Sequence, residues 1–250
     1  MSVHIAFDRL GSGSPVIFVL GAFNTRDTGE PLAHALAANH TVFNFDRRGR
    51  GDSTDEPTYA IEREIDDLAG LIREAGGSAA LLGFSSGAAL GLAAAAHGLP
   101  ITKLALFDLP LRPGGPPNEV DHTAALAALV RAGRRGDAVE YFQGRMVGIP
   151  QPVIEQLRTA PFRPALEAMA QTLVYEATIL GDGLVPLDRV RAVEAPLLAL
   201  AGGAAPPFMR ITAELVAREA PHGRALVIEG LGHDLSPALA DPLAQFFAER

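Results

Sequence analysis

The chain has no cysteine. That removes disulfides, thiolate metal sites and a cysteine nucleophile together, and leaves the redox compartment unconstrained. It has a single lysine, Lys103; every other basic residue is arginine. Carboxylates outnumber bases, 29 Asp and Glu against 21 Lys and Arg, for a formal net charge of −8. A phosphate backbone wants a basic face, so nucleic acid is not expected as a partner. The arginines read as compositional bias, and the clusters "DRRGR" (46–50) and "RAGRRGD" (131–137), with carboxylates nearby, as solvated or paired surface. No segment reaches the ~18 uninterrupted apolar residues of a spanning helix. The opening "MSVHIAFDRL" lacks the basic region and long apolar run of a secretory signal, so the expectation is a cytoplasmic protein without membrane contact.

What is present is a globular composition: 250 residues, 48% hydrophobic and 20% charged. That length suits one large α/β domain, or one domain with an inserted subdomain. Short apolar runs alternate with longer helical patterns: "VHIAF" (3–7), "VIFVL" (16–20), "TVFNFD" (41–46), "AALLGF" (79–84), "TKLALF" (102–107), "PLLALAG" (196–202) and "RALVIEG" (224–230). Most lack strict alternation, as strands buried on both faces do. "DRLGSGS" between the first two suits an antiparallel hairpin. Helix-sized connections between the others imply parallel strands with crossovers.

The clearest helix is 59–76. Ile61, Ile65, Leu68 and Ile72 form one apolar stripe, Glu62, Arg63, Asp66, Asp67 and Arg73 lie off it, and Gly76-Gly77 stops it. The helix after "SSG" is small and apolar nearly all round, so it should be buried against the sheet. A last helix should start at Ser236-Pro237. Between 111 and 190 strand signals vanish. A "LRPGGPPN" link leads into helical patterns only, an insertion that reads as a lid. The expected division is a core of 1–110 and 191–250 with a helical lid of 111–190.

"ALLGFSSGAAL" (80–90) carries the chemistry. "GFSSG" satisfies G-x-S-x-G with Ser85 at its centre. The pattern describes a tight strand-to-helix turn that holds the serine in a strained conformation with its hydroxyl above the sheet. Five residues are a weak signal, but an apolar strand before and a buried helix after strengthen it. Ser86 offers its backbone N–H at the helix start, where an oxyanion is welcome. A serine needs a base, and seven histidines compete: His4, His34, His40, His97, His122, His222 and His233. Ligands and catalytic groups gather at the C-terminal ends of parallel strands. Only His233 lies just past such an end, in a Gly-flanked loop.

With these motifs in order, the chain resembles the α/β-hydrolase fold family over nearly its whole length. "VIFVLGAF" (16–23) is similar to that family's strand and oxyanion loop, with Leu20 where a histidine is usual. "FDRRGRGDS" (45–53) resembles its D-x-R-G-x-G-x-S motif, "GFSSG" its nucleophile elbow, and "EGLGHDLSP" (229–237) its catalytic-histidine loop. The resemblance implies a mostly parallel sheet with helices on both faces and an oxyanion hole from the backbone amides of Ser86 and Ala22, with Phe23 as a further donor. It also exposes a departure. The family usually carries its acid after the penultimate strand, but "LALAGGAAPPFMR" (198–210) has no carboxylate. "LALFDLP" instead sets Asp108 at the end of the strand after the nucleophile helix. Haloalkane dehalogenases and certain lipases resemble this arrangement. Asp182 and Asp188 are weaker candidates, and Asp234 is badly placed to orient its own neighbour. The 46–53 loop reads as structural, with Asp52 and Ser53 tying it to the backbone.

No metal site emerges, since the histidines lack ligand spacing. "GSGSPVIF" and "GRGDS" lack the strand–helix setting of a nucleotide loop, so no cofactor is expected. Phe142, Met146, Phe162, Met169 and Tyr175 are candidate lining of an apolar or mixed pocket. The resulting expectation is an esterase, lactonase or thioesterase acting on a small molecule through an acyl-enzyme. A cofactor-free lyase, cyclase or C–C bond-cleaving enzyme on the same scaffold, and a non-catalytic binding protein, stay open as alternatives. Nothing in the sequence fixes the oligomeric state.

Overall fold

The apolar runs become the middle of a sheet whose two faces are both covered. The structure, a computed structural model, describes residues 3–56 and 58–249. The outermost positions of the expected core, Met1, Ser2 and Arg250, lie outside the described residues. The strands are β1 (Phe7–Leu10), β2 (Ser14–Val19), β3 (His40–Phe45), β4 (Ala79–Phe84), β5 (Ile101–Phe107), β6 (Leu197–Gly202) and β7 (Gly223–Ile228). They form one sheet in the order β1-β3-β2-β4-β5-β6-β7. Among the described residues only β1 runs antiparallel to its neighbour; the other pairings are parallel.

The expected hairpin between the first two runs does not form. β1 pairs with β3, Phe7 opposite Phe45 and Leu10 opposite Val42. Most of the 3–7 run is not strand, because the loop after β3 takes its backbone groups. Ala6 N–H donates to Ser53 Oγ at 2.9 Å, its carbonyl accepts from Asp46 N at 2.9 Å, and the His4 carbonyl accepts from Thr54 N at 3.0 Å.

Alternate residues of the central strands enter separate cores, as the two-residue period requires. Val16 and Phe18 of β2 pack with α1 (Arg26–Leu36) and the C-terminal helix Ala240–Ala248. Ile17 and Val19 pack on the other face with α2 (Ile61–Glu74) and α3 (Ser86–Ala96). The α2 stripe is buried as its spacing predicts: Ile65, Leu68 and Ile72 are in the core. α3 is buried on nearly every side, which its run of alanine and glycine permits. Ser236 Oγ accepts from Ala238 N at 3.2 Å and caps a short 3-10 turn before the last helix.

Between β5 and β6 stand α4 (His122–Arg131), α5 (Arg135–Tyr141), α6 (Gln151–Leu157), α7 (Arg163–Ala168), α8 (Thr172–Leu180) and α9 (Leu187–Arg191), with a π-helical turn over Phe142–Val147. The entering and returning chains are pinned together where Arg112 N donates to Gly183 O at 2.8 Å and Val185 N to Arg112 O at 3.0 Å. The helices have a small core of their own, including Leu126, Val139, Phe142 and Leu173, and it packs on Ala22 and Phe23 at the end of β2. Ile179, Val185 and Val190 return to the main core. Among the described residues no helix is long and apolar enough to cross a membrane.

Candidate active site

The C-terminal ends of three parallel strands, β4, β5 and β7, supply the site. β4 ends at Phe84, and the chain turns through Ser85 directly into α3. Ser85 sits at φ 55°, ψ −128°, a conformation rare outside glycine. The flanking glycines are required by proximity. A β-carbon on Gly83 would lie 2.6 Å from Ala88 Cα, and one on Gly87 would lie 2.0 Å from the Val19 carbonyl oxygen. Ser85 N donates to Phe107 O at 3.0 Å, which ties the turn to the end of β5.

The next residue after β5 is Asp108, also at positive φ (49°) and fully buried. Its amide donates to Leu200 O on β6 at 2.9 Å, and its Oδ1 accepts from Gly202 N at 2.9 Å. Its Oδ2 stands 3.0 Å from His233 Nδ1. His233 comes from the loop after β7, held when Ala204 N donates to Leu231 O at 2.8 Å. Its ring lies 4.9 Å from the Phe84 ring, and its Nε2 is 3.1 Å from Ser85 Oγ. A buried carboxylate can only accept, so Nδ1 carries the hydrogen. In the neutral imidazole Nε2 is then the acceptor and Ser85 Oγ the donor.

The three residues thus meet in a serine–histidine–aspartate chain, with the aspartate after β5. Of the weaker candidates, Asp182 accepts from Leu184 N at 3.0 Å, and the exposed Asp188 faces Arg191 at 3.6 Å.

The third positive-φ residue other than glycine, among the described residues, is Phe23, at φ 61°. All three such residues therefore lie at this end of the sheet. Beside Phe23, Asn24 Nδ2 donates to Ala22 O at 2.6 Å. Ser86 heads α3 and is buried; its Oγ has no partner among the described residues.

The arginines of "DRRGR" correct the sequence reading. Arg47, Arg48 and Arg50 are paired, one of the two expectations, but they are buried and not at the surface. Arg47 grips Glu64 of α2 with two hydrogen bonds of 2.7 Å and reaches Glu176 of α8 at 3.1 Å. Arg50 also pairs with Glu176. Each spends a further N–H on the β2 loop: Arg47 on Leu20 O at 3.0 Å, Arg50 on Gly21 O at 2.9 Å. Two arginines and two glutamates sum to zero charge, which makes the burial tolerable. Burial works against the Glu64 charge, but attraction and hydrogen bonds from Arg47 prevail and hold its carboxyl below the usual range.

Two features of the sequence could have revealed this cluster. Glu64 lies three residues after Ile61 and four before Leu68, on the buried stripe. Glu176 is the lone carboxylate of the apolar helix "TLVYEATIL". Such groups need a buried cation.

The pocket candidates divide. Phe142 is buried with its ring edge-on to Phe23, centroids 5.6 Å apart, and Met146 packs in the same cluster. Met169 is half-buried at the end of α7. Phe162 and Tyr175 are not part of that cluster. Phe162 is 51% exposed. Tyr175 stacks on Tyr59 at 4.0 Å and donates to Asp55 Oδ2 at 2.6 Å. Its phenol needed a polar partner on burial and found it in the 46–56 loop. Clefts of about 350 and 310 Å³ lie beside α2 and α5, away from Ser85.

This sheet order, with an elbow serine, a late-loop histidine and a strand-end acid, defines an α/β-hydrolase architecture. The chain belongs to the alpha/beta hydrolase family, whose model matches residues 5–249. It is similar to the crystal structure of an alpha/beta hydrolase from Sphaerobacter thermophilus, with 47% identity over 98% of this chain and 97% of that one and a TM-score of 0.91. A thermophilic esterase from Thermogutta terrifontis (24% identity, 98% and 92% covered, TM-score 0.70) shares the fold. So does a bromoperoxidase from Bacillus anthracis (18%, 99% and 96%, TM-score 0.71). A search of curated proteins finds no match.

Proposed function

We propose that the protein is a serine hydrolase acting on a small apolar or mixed carboxylic ester, lactone or thioester. The observation that carries this reading is the continuous chain from Ser85 Oγ to His233 Nε2 (3.1 Å) and from His233 Nδ1 to Asp108 Oδ2 (3.0 Å). Ser85 Oγ attacks the substrate carbonyl as His233 Nε2 takes its proton. The buried Asp108 carboxylate keeps the proton on Nδ1 and stabilises the imidazolium. The Ser86 amide and one from Ala22 or Phe23 receive the oxyanion, each donor contributing roughly 3 kcal/mol to the transition state. His233 then protonates the leaving group, and water attacks the acyl-enzyme with His233 again as base.

The helical insertion acts as a lid in this reading, supported by its contact with Ala22 and Phe23. Phe142 and Met146 are its best-supported contributions to substrate binding. The reading also takes the protein to work in the cytoplasm on a freely diffusing substrate.

The test is labelling with a fluorophosphonate probe beside turnover of p-nitrophenyl esters. Wild type should label and turn over; Ser85→Ala should lose both, and His233→Ala nearly so. Labelling that survives Ser85→Ala overturns the proposal. Probe labelling without turnover of esters, lactones or thioesters would favour the non-hydrolytic alternative.

A further inference from the structure

The buried arginine cluster does more than balance charge. A trans peptide unit is planar, so its C=O and N–H point in opposite directions. The Gly21 carbonyl accepts from Arg50 Nη1 at 2.9 Å. The N–H of the same peptide belongs to Ala22, so it points away from Arg50. Among the described residues that N–H has no protein acceptor. Gly21 itself lies against the nucleophile: a β-carbon there would be 2.8 Å from Ser85 Cβ and 3.3 Å from Ser85 Oγ. Arg50 is in turn held by Glu176, whose Oε1 also takes Arg47. Glu176 stands on α8, within the helical insertion.

We infer that Arg50, fixed by Glu176, is a positioning residue for the oxyanion site: its grip on the Gly21 carbonyl turns the Ala22 N–H toward the substrate oxygen at Ser85. The inference rests on the hydrolase reading above and deepens it. The insertion then does more than cover the site, because its Glu176 sets the guanidinium that sets the loop. An alternative, that the four charges only fill the core, gives no reason for both arginines to spend donors on consecutive carbonyls of one loop, Leu20 and Gly21.

The experiment compares Arg50→Met, Arg50→Lys and a control, Asp67→Asn. The control breaks another largely buried pair, Arg48–Asp67, whose arginine contacts α2 and not the β2 loop. Active sites are counted by fluorophosphonate labelling carried to completion, and kcat for p-nitrophenyl butyrate is expressed per labelled site. Arg50→Met should lower kcat per site about 100-fold, the effect of losing one oxyanion donor, with KM changed less than about threefold. Arg50→Lys keeps its charge beside Glu176 but cannot span both partners, so kcat per site should fall about tenfold. The pH midpoint of kcat should stay where it is in wild type, because His233 and Asp108 are untouched. Asp67→Asn should lose thermal stability and keep its kcat per site.

If Arg50→Met does not fold, Arg50→Lys decides. Wild-type kcat per site in the folded Arg50 variants overturns this inference alone. A wild-type protein that neither labels nor turns over esters overturns the hydrolase reading and this inference with it.

Discussion

Asp108 uses both carboxylate oxygens at once: Oδ2 faces His233 Nδ1 at 3.0 Å, and Oδ1 accepts from Gly202 N–H at 2.9 Å. Two donors therefore fix its plane, and neither oxygen is free to turn. Asparagine has one oxygen and one NH2. In Asp108→Asn one of the two donors must face an NH2. If the oxygen keeps Gly202, the NH2 meets Nδ1 and drives the proton to Nε2, the wrong tautomer for a base. On the proposed mechanism kcat should fall about 10³- to 10⁴-fold, with KM little changed. Steady-state ester kinetics check it, and near-wild-type kcat would place the acid elsewhere.

Two glycines in helices should respond in opposite directions to alanine. Alanine is the better helix former by about 1 kcal/mol. At Gly70 in α2 a β-carbon would meet only Arg73 Nη2, at 3.6 Å, so Gly70→Ala should stabilise by about 0.5–1 kcal/mol. At Gly87 the added carbon would press on the Val19 carbonyl oxygen at 2.0 Å. Backbone atoms of a central strand cannot swing aside, so overpacking of 3 kcal/mol or more by rough estimate outweighs the propensity gain. Urea unfolding of both variants reads the signs directly. A Gly87→Ala protein as stable as wild type would show that α3 can lift off β2.

The sheet was legible because burial on both faces writes itself as apolar runs, and the parallel pairings of β2 through β7 followed from the helix-sized links. β1 was misread because residues 4–6 looked like strand while their backbone partners, Ser53 and Asp46, lay about forty to fifty residues away. The meeting of Ser85 and His233 was legible because a strained elbow and a strand-end loop demand particular residues nearby. The Arg47–Arg50–Glu64–Glu176 cluster was not. Arginine-rich loops are usually solvated, and the pairing that buries these joins positions more than a hundred residues apart. Only the two carboxylates in apolar helix positions hinted at it.

Tyr175 provides a check on where the pocket is not. Its hydroxyl donates to Asp55 Oδ2 at 2.6 Å, and its ring stacks on Tyr59 with planes 4° apart. Burial and Asp55 both push its phenol well above the usual range, so it stays a donor at any working pH. Tyr175→Phe keeps the stack and removes one hydrogen bond to a charged but exposed partner. The expected cost is about 1–2 kcal/mol of stability. Ester kcat and KM should both stay within about twofold, since less than 0.5 kcal/mol at the transition state is involved. A large rise in KM with unchanged stability would return Tyr175 to the pocket.

His40 should give the fold an acid-sensitive component. It is buried at the start of β3, its ring edge-on to Phe247 at 5.9 Å. Burial, with the Lys103 charge adding to it, holds its imidazole below the ordinary value of 6.5. Above pH 6.5 both folded and unfolded chains carry it neutral, and its full contribution is present. As pH falls below 6.5, the unfolded chain takes up a proton that the folded chain refuses, so the balance shifts toward unfolding. The loss is complete once pH passes the lower, folded value. Urea midpoints measured from pH 8 to pH 5 should therefore fall more steeply for wild type than for His40→Gln, which has nothing to titrate at that position. The difference between the two curves isolates His40 from the carboxylates, which titrate alike in both. Parallel curves would mean that the folded chain accepts the proton beside Phe247 without penalty.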